Sequence, residues 1–468
     1  MDLHELSALE IEAAYRSGET TPTELVDHLL ERIAGEEVGA FVTVTAESAR
    51  ARAVAATRRW QSGDGLPRLY GVPSAVKDLT MTAGVRTTFG SAAMRDFVPD
   101  VSDVVAELME AGGLISLGKT STPEFGAPCY TEPEGLPPAR TPWDLTRSAG
   151  GSSGGAAAAV ASGLVPVAHG SDGGGSIRIP ASVCGLVGLK PSRGRVSTGP
   201  TYGDISGLSA HGSLATTVRD AAAFLDVIAG HHTGDPTWAA PLPTGQSYLG
   251  WCDREPGRLR IATFCEPVVG TAAVDPEVRR AYDEAISMLE GLGHVVEEVP
   301  VPLSAELVPV FEVVWSVGTT GIPVEPELEP TLRPLTRWLR DRGRAASAPD
   351  YNAALVAMRQ AAAKALVQLH PYDAVLTPTL AQLPALVGEL RDDDDPAADF
   401  EAQKNYTPFT SAWNVTGMPA VSLPTGWSSA GLPIGTMLAG RPGEDHLLLA
   451  LAAQVEGQGP ARPRRAGR

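Results

Sequence analysis

The sequence predicts an α/β protein built around a mostly parallel β-sheet. Short apolar runs, such as residues 69–76 and 114–117, alternate with stretches in which apolar residues recur at helical spacing. A repeated helix-then-strand order is typical of parallel sheets. The composition agrees, because 43% of the residues are hydrophobic and 20% are charged, as in ordinary globular proteins. The 468 residues can bury a large core, and the length does not require a division into several domains.

The first predicted elements are helices. Leu6, Ile11 and Tyr15 give the N-terminal residues a sparse apolar face at helical spacing. Residues 21–24, Thr-Pro-Thr-Glu, have the pattern of a capping box and predict a second helix over 25–33. Both helices are interpreted as scaffold.

Lys77 stands at the end of an apolar, strand-like run, residues 69–76. A single lysine in such a position is most often a solvated charge. A helix over 101–111 and a strand over 114–117 are predicted next. The Gly-Lys-Thr at 118–120 lacks the upstream glycine of a phosphate-binding P-loop, so it is interpreted as a structural turn.

A glycine- and serine-rich stretch occupies residues 147–195. Two loops in it each present a serine: 150–155 precedes a run of small residues at 156–161, and 173–176 follows a strand-like segment. Consecutive glycines let a backbone aim several N–H groups at one point, which suits an oxyanion. Neither loop fits a nucleotide-binding glycine pattern. A flexible linker is disfavoured, because apolar segments typical of buried structure are interleaved with the glycines.

The C-terminal half continues the α/β pattern. A core helix is predicted over 218–228, and a connector rich in Pro, Gly and Thr follows over 231–251. A strand over 258–264, a helix over 275–292 and a strand over 295–299 then predict one further β-α-β unit.

Charge and cysteine content exclude several classes of function. The formal net charge of −18 at pH 7 argues against nucleic acid or an anionic membrane as a partner, because like charges repel. Four separated cysteines without a C-x-x-C pair predict neither a disulfide framework nor a zinc site. The N-terminal residues are acidic and amphipathic, and no run of 18 apolar residues occurs, so a cytoplasmic location is expected.

Two segments carry a resemblance to a known family. They read GGSSGG at 150–155 and GSDGGGSIRIPASVCGLVGLKPSRGRVS at 170–197. These segments resemble the signature of the amidase signature family of serine hydrolases, and the similarity extends from about residue 5 to about residue 456.

The resemblance implies one large domain, residues 1–456, with a central mixed, mostly parallel β-sheet covered by helices on both faces. Its core signature would span 71–195, and a variable region at about 231–400 would form the substrate mouth. Helices within 303–365 are expected to cover that mouth. The basic, Gly- and Pro-rich residues 457–468 are predicted to be a disordered tail.

Four aromatic residues are candidates for the lining of a pocket, with an ordinary place in the core as the alternative for each, since aromatic side chains are often buried. They are Trp315, Trp338, Tyr351 and Trp413.

The family uses a Ser-(cis-Ser)-Lys triad. The resemblance implies that Ser176 is the nucleophile, that Ser152, held after a cis peptide bond, is the bridging proton relay, and that Lys77 is the base. A lysine can replace histidine if burial lowers its pKa from ~10.4 toward neutrality. A histidine triad is disfavoured: His169 lies near the signature, but no G-x-S-x-G elbow accompanies it.

The second glycine loop is predicted to bind the developing negative charge of the reaction. The backbone N–H groups of Gly173, Gly174, Gly175 and Ser176 would form this oxyanion hole. The family most often has a larger residue where this chain has Gly173.

Three polar residues are predicted to support the two loops. Asp172 and Arg178 flank the second loop and are interpreted as a buried ion pair, with a pair of surface charges as the alternative. Ser153 is interpreted as a hydrogen-bonding neighbour. Neither a metal nor an organic cofactor is implied.

Three functions are compatible with these features. The first is a stand-alone amidase, similar to free-standing bacterial enzymes, that cleaves a non-peptide carboxamide into a carboxylic acid and an amine or ammonia. The second is the A subunit of a tRNA-dependent amidotransferase, which releases ammonia from glutamine for a partner. The third, a catalytically inactive binding protein, is disfavoured because Lys77, Ser152, Ser153 and Ser176 are all present. The expected partner is a small-molecule amide, and a homodimer is left open.

Overall fold

The computed structural model describes residues 2–63, 65–201 and 203–459. The described α-helices are α1 (Ala8–Ser17), α2 (Pro22–Ala34), α3 (Ala46–Gln61), α4 (Val104–Ala111), α5 (Gly154–Ala161), α6 (Arg178–Cys184), α7 (Val218–Ile228), α8 (Tyr248–Trp251), α9 (Pro276–Gly291), α10 (Leu307–Thr319), α11 (Pro334–Ala345), α12 (Ala348–Leu369), α13 (Pro396–Tyr406), α14 (Ala412–Thr416) and α15 (Asp445–Glu456). The β-strands are β1 (Phe41–Val44), β2 (Pro73–Lys77), β3 (Ile115–Thr120), β4 (Val167–Asp172), β5 (Val187–Lys190), β6 (Ala210–Ala215), β7 (Arg260–Thr263), β8 (Val295–Glu298), β9 (Ala374–Pro378), β10 (Ala420–Trp427) and β11 (Pro433–Gly440).

The described strands form a sheet of eight and a sheet of three. The large sheet has the order β4-β6-β5-β10-β11-β9-β7-β8, and the small one has the order β1-β3-β2. The predicted α/β class and the mixed sheet are confirmed. The prediction that the sheet is mostly parallel is wrong, because five of the seven pairings in the large sheet are antiparallel and only β7 with β8 and β7 with β9 are parallel.

The strand directions differ from the prediction because the alternation of helices and strands does not say which strands become neighbours. The predicted β-α-β unit is present: α9 connects β7 to its parallel neighbour β8. In contrast, β10 and β11 are joined by a tight turn in which the Ser428 N–H donates to the Leu432 carbonyl at 2.8 Å. Such a direct connection forces the two strands to run antiparallel.

Residues 118–120 are the end of β3 rather than the predicted turn. A Cβ added at Gly118 would lie 2.1 Å from the carbonyl oxygen of Thr43 in β1. The glycine therefore allows two strands to approach closely. Lys119 is buried beside Asp78, with 3.3 Å between Nζ and Oδ1.

Local signals predicted the N-terminal helices well. The capping box of α2 is present: the Thr21 N–H donates to a Glu24 carboxylate oxygen at 2.9 Å, and the Glu24 N–H donates to Thr21 Oγ1 at 3.2 Å. Among the described residues, no helix combines the length and the apolar character needed to cross a membrane. The predicted tail lies outside the described residues from position 460 onward.

The fold brings the two glycine-rich loops together in the core. All residues of α5 and of α6, the helices that follow the loops, are buried. Strand β2 lies beside β4, because Ser74 Oγ donates to the Val167 carbonyl at 3.0 Å. The end of β2, which carries Lys77, is therefore held close to the end of β4, where the second loop begins.

Candidate active site

Lys77 ends β2 with its amino group inside the protein. The side chain has no exposed surface. Its Nζ donates hydrogen bonds to Ser152 Oγ at 2.8 Å and to the Ser171 carbonyl at 3.0 Å. Burial lowers the pKa of Lys77 to about 7, although the negative charge of Asp172 acts in the opposite direction. A substantial fraction of Lys77 is therefore a neutral amine near neutral pH.

Ser152 lies in the first glycine loop, immediately after a cis peptide bond between Gly151 and Ser152. Its side chain is buried, and its carbonyl accepts a hydrogen bond from Thr122 Oγ1 at 3.0 Å. A Cβ added at Gly151 would lie 2.8 Å from the backbone nitrogen of Tyr130. Glycine is thus required for the loop to pass this close to the neighbouring backbone.

Ser153 connects the first loop to the second. Its N–H donates to the Ser176 carbonyl at 3.1 Å, and its hydroxyl donates to the Ser171 carbonyl at 3.2 Å. The Ser171 carbonyl also accepts the hydrogen bond from Lys77. Lys77, Ser152 and Ser176 therefore belong to one compact arrangement.

Asp172 and Arg178 form a fully buried ion pair that organises the second loop. Arg178 Nη2 donates to Asp172 Oδ1 at 2.8 Å and Nε donates to Oδ2 at 2.9 Å. The carboxylate also accepts the N–H groups of Gly175 at 2.8 Å and Ile177 at 3.1 Å. Burial acts to raise the pKa of Asp172, but the charge of Arg178 and its hydrogen bonds to the carboxylate hold the pKa well below its usual range. Asp172 and Arg178 are therefore not a pair of surface charges, which was the alternative interpretation of the sequence.

The expected set of oxyanion-hole donors needs one correction. The N–H of Gly175 is used by Asp172 Oδ1, so it points to the carboxylate that fixes the loop. The expected donors reduce to the N–H groups of Gly173, Gly174 and Ser176. Gly175 instead allows a close approach, because its φ is +136° and an added Cβ would lie 2.6 Å from the Cβ of Thr410.

We expect Gly175→Ala to lose most activity and Gly173→Ala to retain it. The first variant combines a strained φ with a collision, whereas a Cβ at Gly173 would meet its nearest neighbour, the Trp315 ring, at an ordinary 3.4 Å. Turnover of any accepted amide and the melting temperature of both variants provide the measurement. Equal activity of the two variants would contradict this account of the loop.

We expect Arg178→Met to lower the free energy of unfolding by ~3–5 kcal/mol, because it leaves the Asp172 carboxylate buried without its counter-ion. Urea denaturation measures the change. The matched control is Arg50→Met, which removes an exposed arginine from its 2.7 Å pair with Asp27 and is expected to change stability by less than ~1 kcal/mol. A change no larger than that of the control would show that the pair does not hold the loop.

Two groups that hold the second loop were not predicted from the sequence, because they come from a distant part of the chain. Thr410 Oγ1 donates to the Gly174 carbonyl at 2.6 Å, and Asn414 Nδ2 donates to Asp172 Oδ1 at 2.8 Å. Both residues are more than 230 positions away along the chain. No local pattern in the sequence distinguishes these two residues from their neighbours.

His169 is occupied by other contacts. Its Nδ1 accepts the Lys77 N–H at 3.3 Å, and its Nε2 lies 3.0 Å from Nδ1 of His211. Burial lowers the pKa of His169 well below its usual value and that of His211 to about 4. His169 therefore supports the Lys77 backbone as a neutral ring, and this geometry gives no support to a histidine triad.

A pocket opens beside Ser176 and Gly174 and, with its open mouth, measures about 650 Å³. Much of its wall is apolar or aromatic and comes from Ile179, Val269, Val308, Phe311, Trp315 and Phe400. The polar side chains in the lining include Glu312, Gln403, Lys404, Thr407 and Ser411. Helix α10, from the region expected to cover the mouth, supplies three of the apolar residues.

Of the four aromatic candidates, Trp315 alone is among the residues that line this pocket. The other three are not lining residues: Trp338 packs behind the lining against Phe400, and Trp413 and Tyr351 pack in one hydrophobic core cluster. Trp413 is fully buried, so it has an ordinary place in the core, which was the alternative interpretation for these four residues.

The described part of the chain contains no group of three or more His, Cys, Asp or Glu side chains that could hold a metal ion. The groups at the candidate site are instead a buried amine, two serines and backbone amides. This set can perform acid–base and nucleophilic chemistry.

Comparison with known proteins identifies the class. The family model described as Amidase matches residues 24–449. The 6-aminohexanoate-cyclic-dimer hydrolase of Paenarthrobacter ureafaciens is 36% identical to this chain, over 96% of this chain and 94% of that protein. The A subunit of the glutamyl-tRNA(Gln) amidotransferase of Roseiflexus sp. is 35% identical, over 96% of this chain and 95% of that protein.

A solved structure agrees with this result. The structure of 6-aminohexanoate cyclic dimer hydrolase complexed with substrate superposes with a TM-score of 0.91 at 33% sequence identity, covering 100% of both chains. The protein therefore belongs to the amidase signature family. It is an amide hydrolase.

Proposed function

We propose that this chain hydrolyses the C–N bond of a small non-peptide carboxamide to a carboxylic acid and an amine or ammonia, through an acyl-enzyme on Ser176. The observation that carries the proposal is the buried Lys77, whose Nζ lies 2.8 Å from Ser152 Oγ in a loop tied to Ser176. A serine hydroxyl is a weak nucleophile and needs a neighbouring base. Lys77 provides that base without a histidine.

In the first half of the reaction, Ser176 Oγ attacks the amide carbon while its proton passes to Ser152 Oγ, and the Ser152 proton passes to the lone pair of neutral Lys77. The negative charge on the carbonyl oxygen is stabilised by the N–H groups of Gly173, Gly174 and Ser176. The C–N bond then breaks as the proton returns from Lys77 through Ser152 to the leaving nitrogen. Water repeats the sequence against the ester and releases the acid.

The architecture around the triad fits this sequence of steps. The Asp172–Arg178 pair and Thr410 fix the loop that carries the proposed donors, so little reorganisation is needed when charge develops. The three proposed catalytic residues come from a single chain, and the proposal therefore does not depend on a homodimer.

The amidotransferase alternative uses the same triad on glutamine. The pocket favours the stand-alone reaction, because its two charged side chains, Glu312 and Lys404, are already paired with each other at 2.6 Å and would have to separate to bind the charged α-amino and α-carboxylate groups of glutamine. Ammonia release from glutamine that appears only with a partner protein would support the alternative instead.

The test is intact-protein mass after treatment with a fluorophosphonate, which labels an activated serine, followed by a panel of amides scored for released amine. A single adduct that is absent from Ser176→Ala, together with turnover of at least one amide by the isolated chain, is the expected result. The absence of both labelling and turnover in the native chain would overturn the proposal.

A further inference from the structure

We infer that the pocket selects an uncharged acyl group with a large apolar surface, such as an aromatic or long straight-chain acyl group, and that Trp315 is the residue that determines this preference. The inference rests on the proposed function and specifies its substrate class. Three features of the molecule support it: the position of Trp315, the shape of the wall it forms, and the pairing of the charges in the pocket.

Trp315 covers the second glycine loop, residues 173–176, because Gly173 has no side chain. Atom Cζ3 of the indole would lie 3.4 Å from a Cβ at Gly173, and Cη2 would lie 3.8 Å from a Cβ at Gly174. A residue much larger than alanine at position 173 would compete with the ring for this space. The glycine and the tryptophan therefore form a complementary pair, in which the ring replaces the side chain that the loop lacks.

Trp315 and Phe311 form one continuous aromatic wall. They are four residues apart on α10, and their rings stack with centroids 5.5 Å apart and planes inclined by 18°. Phe400 and Ile179 provide further apolar surface in the same pocket. Flat or extended apolar groups make the largest contact with such a surface.

The wall is contiguous with Gly174 and Ser176. The group bound beside these residues carries the carbonyl oxygen and remains on Ser176 after the amine departs. The pocket is therefore assigned to the acyl part of the amide.

The charged groups of the pocket are already paired. Lys404 Nζ donates to Glu312 Oε1 at 2.6 Å and also bonds Glu401, while Glu312 Oε2 accepts from Arg342 at 3.0 Å. A charged acyl group would have to displace one of these partners or remain poorly solvated. An uncharged acyl group is therefore preferred.

The test uses four p-nitroanilides that share one leaving amine: acetyl, hexanoyl, benzoyl and glutaryl. For the native chain, kcat/KM is expected to be at least about tenfold higher for hexanoyl or benzoyl than for charged glutaryl. In Trp315→Ala, kcat/KM for hexanoyl and benzoyl is expected to fall about tenfold or more, while the acetyl value changes less than about threefold, because a single methyl group has little apolar surface to bury against the wall.

The matched control is Val317→Ala, which shortens another side chain of α10 outside the pocket lining and should leave the ratios among the four substrates unchanged. Ratios are used because a folding defect reduces all four values equally. Equal losses on every acyl group in Trp315→Ala, or equal use of glutaryl and hexanoyl by the native chain, would overturn the inference.

The experiment also separates the two proposals. If fluorophosphonate still labels Ser176 but none of the four anilides is cleaved, the substrate class is wrong and the proposed chemistry stands. If labelling is absent as well, the proposed function itself fails.

Discussion

Replacing Ser176 with alanine is expected to lower kcat by about 10⁶-fold, because the proposed acyl-enzyme forms on its hydroxyl and the members of a catalytic unit fail together. The hydroxyl is removed while the loop, fixed by Asp172 and Arg178, keeps its contacts. Amine release under single-turnover conditions measures the loss, and the fluorophosphonate adduct should disappear in parallel.

The matched control for this variant is Ser162→Ala, which lies in the same glycine- and serine-rich stretch, at the C-terminal end of α5. It should retain both the adduct and full turnover. Turnover in Ser176→Ala within tenfold of the native value would remove Ser176 as the nucleophile.

Replacing Lys77 with methionine is expected to reduce kcat/KM by about 10²–10⁴-fold, the usual contribution of a general base. Methionine fills a similar volume in this fully buried position but carries no proton acceptor of comparable strength. The same substitution should therefore leave the chain folded, which circular dichroism and the melting temperature can verify.

The pH dependence provides a second measure of the role of Lys77. The charged form cannot accept a proton, and burial has lowered the pKa to about 7. The kcat/KM of the native chain should therefore rise about tenfold per pH unit below that value and level off above it. In Lys77→Met this rise should vanish. A native profile that is flat between pH 5 and 8 would show that a group other than Lys77 limits the reaction.

Much of the candidate site could be predicted from the sequence because its parts are local. The two glycine loops, the strand that ends at Lys77 and the Asp172–Arg178 pair lie between residues 69 and 178. The capping box of α2 and the β7-α9-β8 unit follow from residue patterns within short windows, and the structure contains both.

Other features depend on residues that are distant in the chain. The antiparallel direction of most of the large sheet reflects which strands meet, and local periodicity does not contain that information. The same holds for Gly118, whose role depends on the approach of β1. The second glycine loop is the most direct example of this dependence. The orientation of Asp172 decides which N–H groups of the loop remain available as proposed oxyanion-hole donors.

By itself, the sequence predicted the groups proposed for catalysis: a lysine at the end of an apolar strand, and two serines in glycine loops that resemble those of one enzyme family. Only the tertiary structure decided the surroundings of that chemistry. Folding lowers the pKa of Lys77 by burial, brings Thr410 and Asn414 to the second loop and places Trp315 over Gly173. The physical reason is that burial, pairing of charges and the shape of a pocket arise from packing between distant segments, which no short stretch of residues encodes.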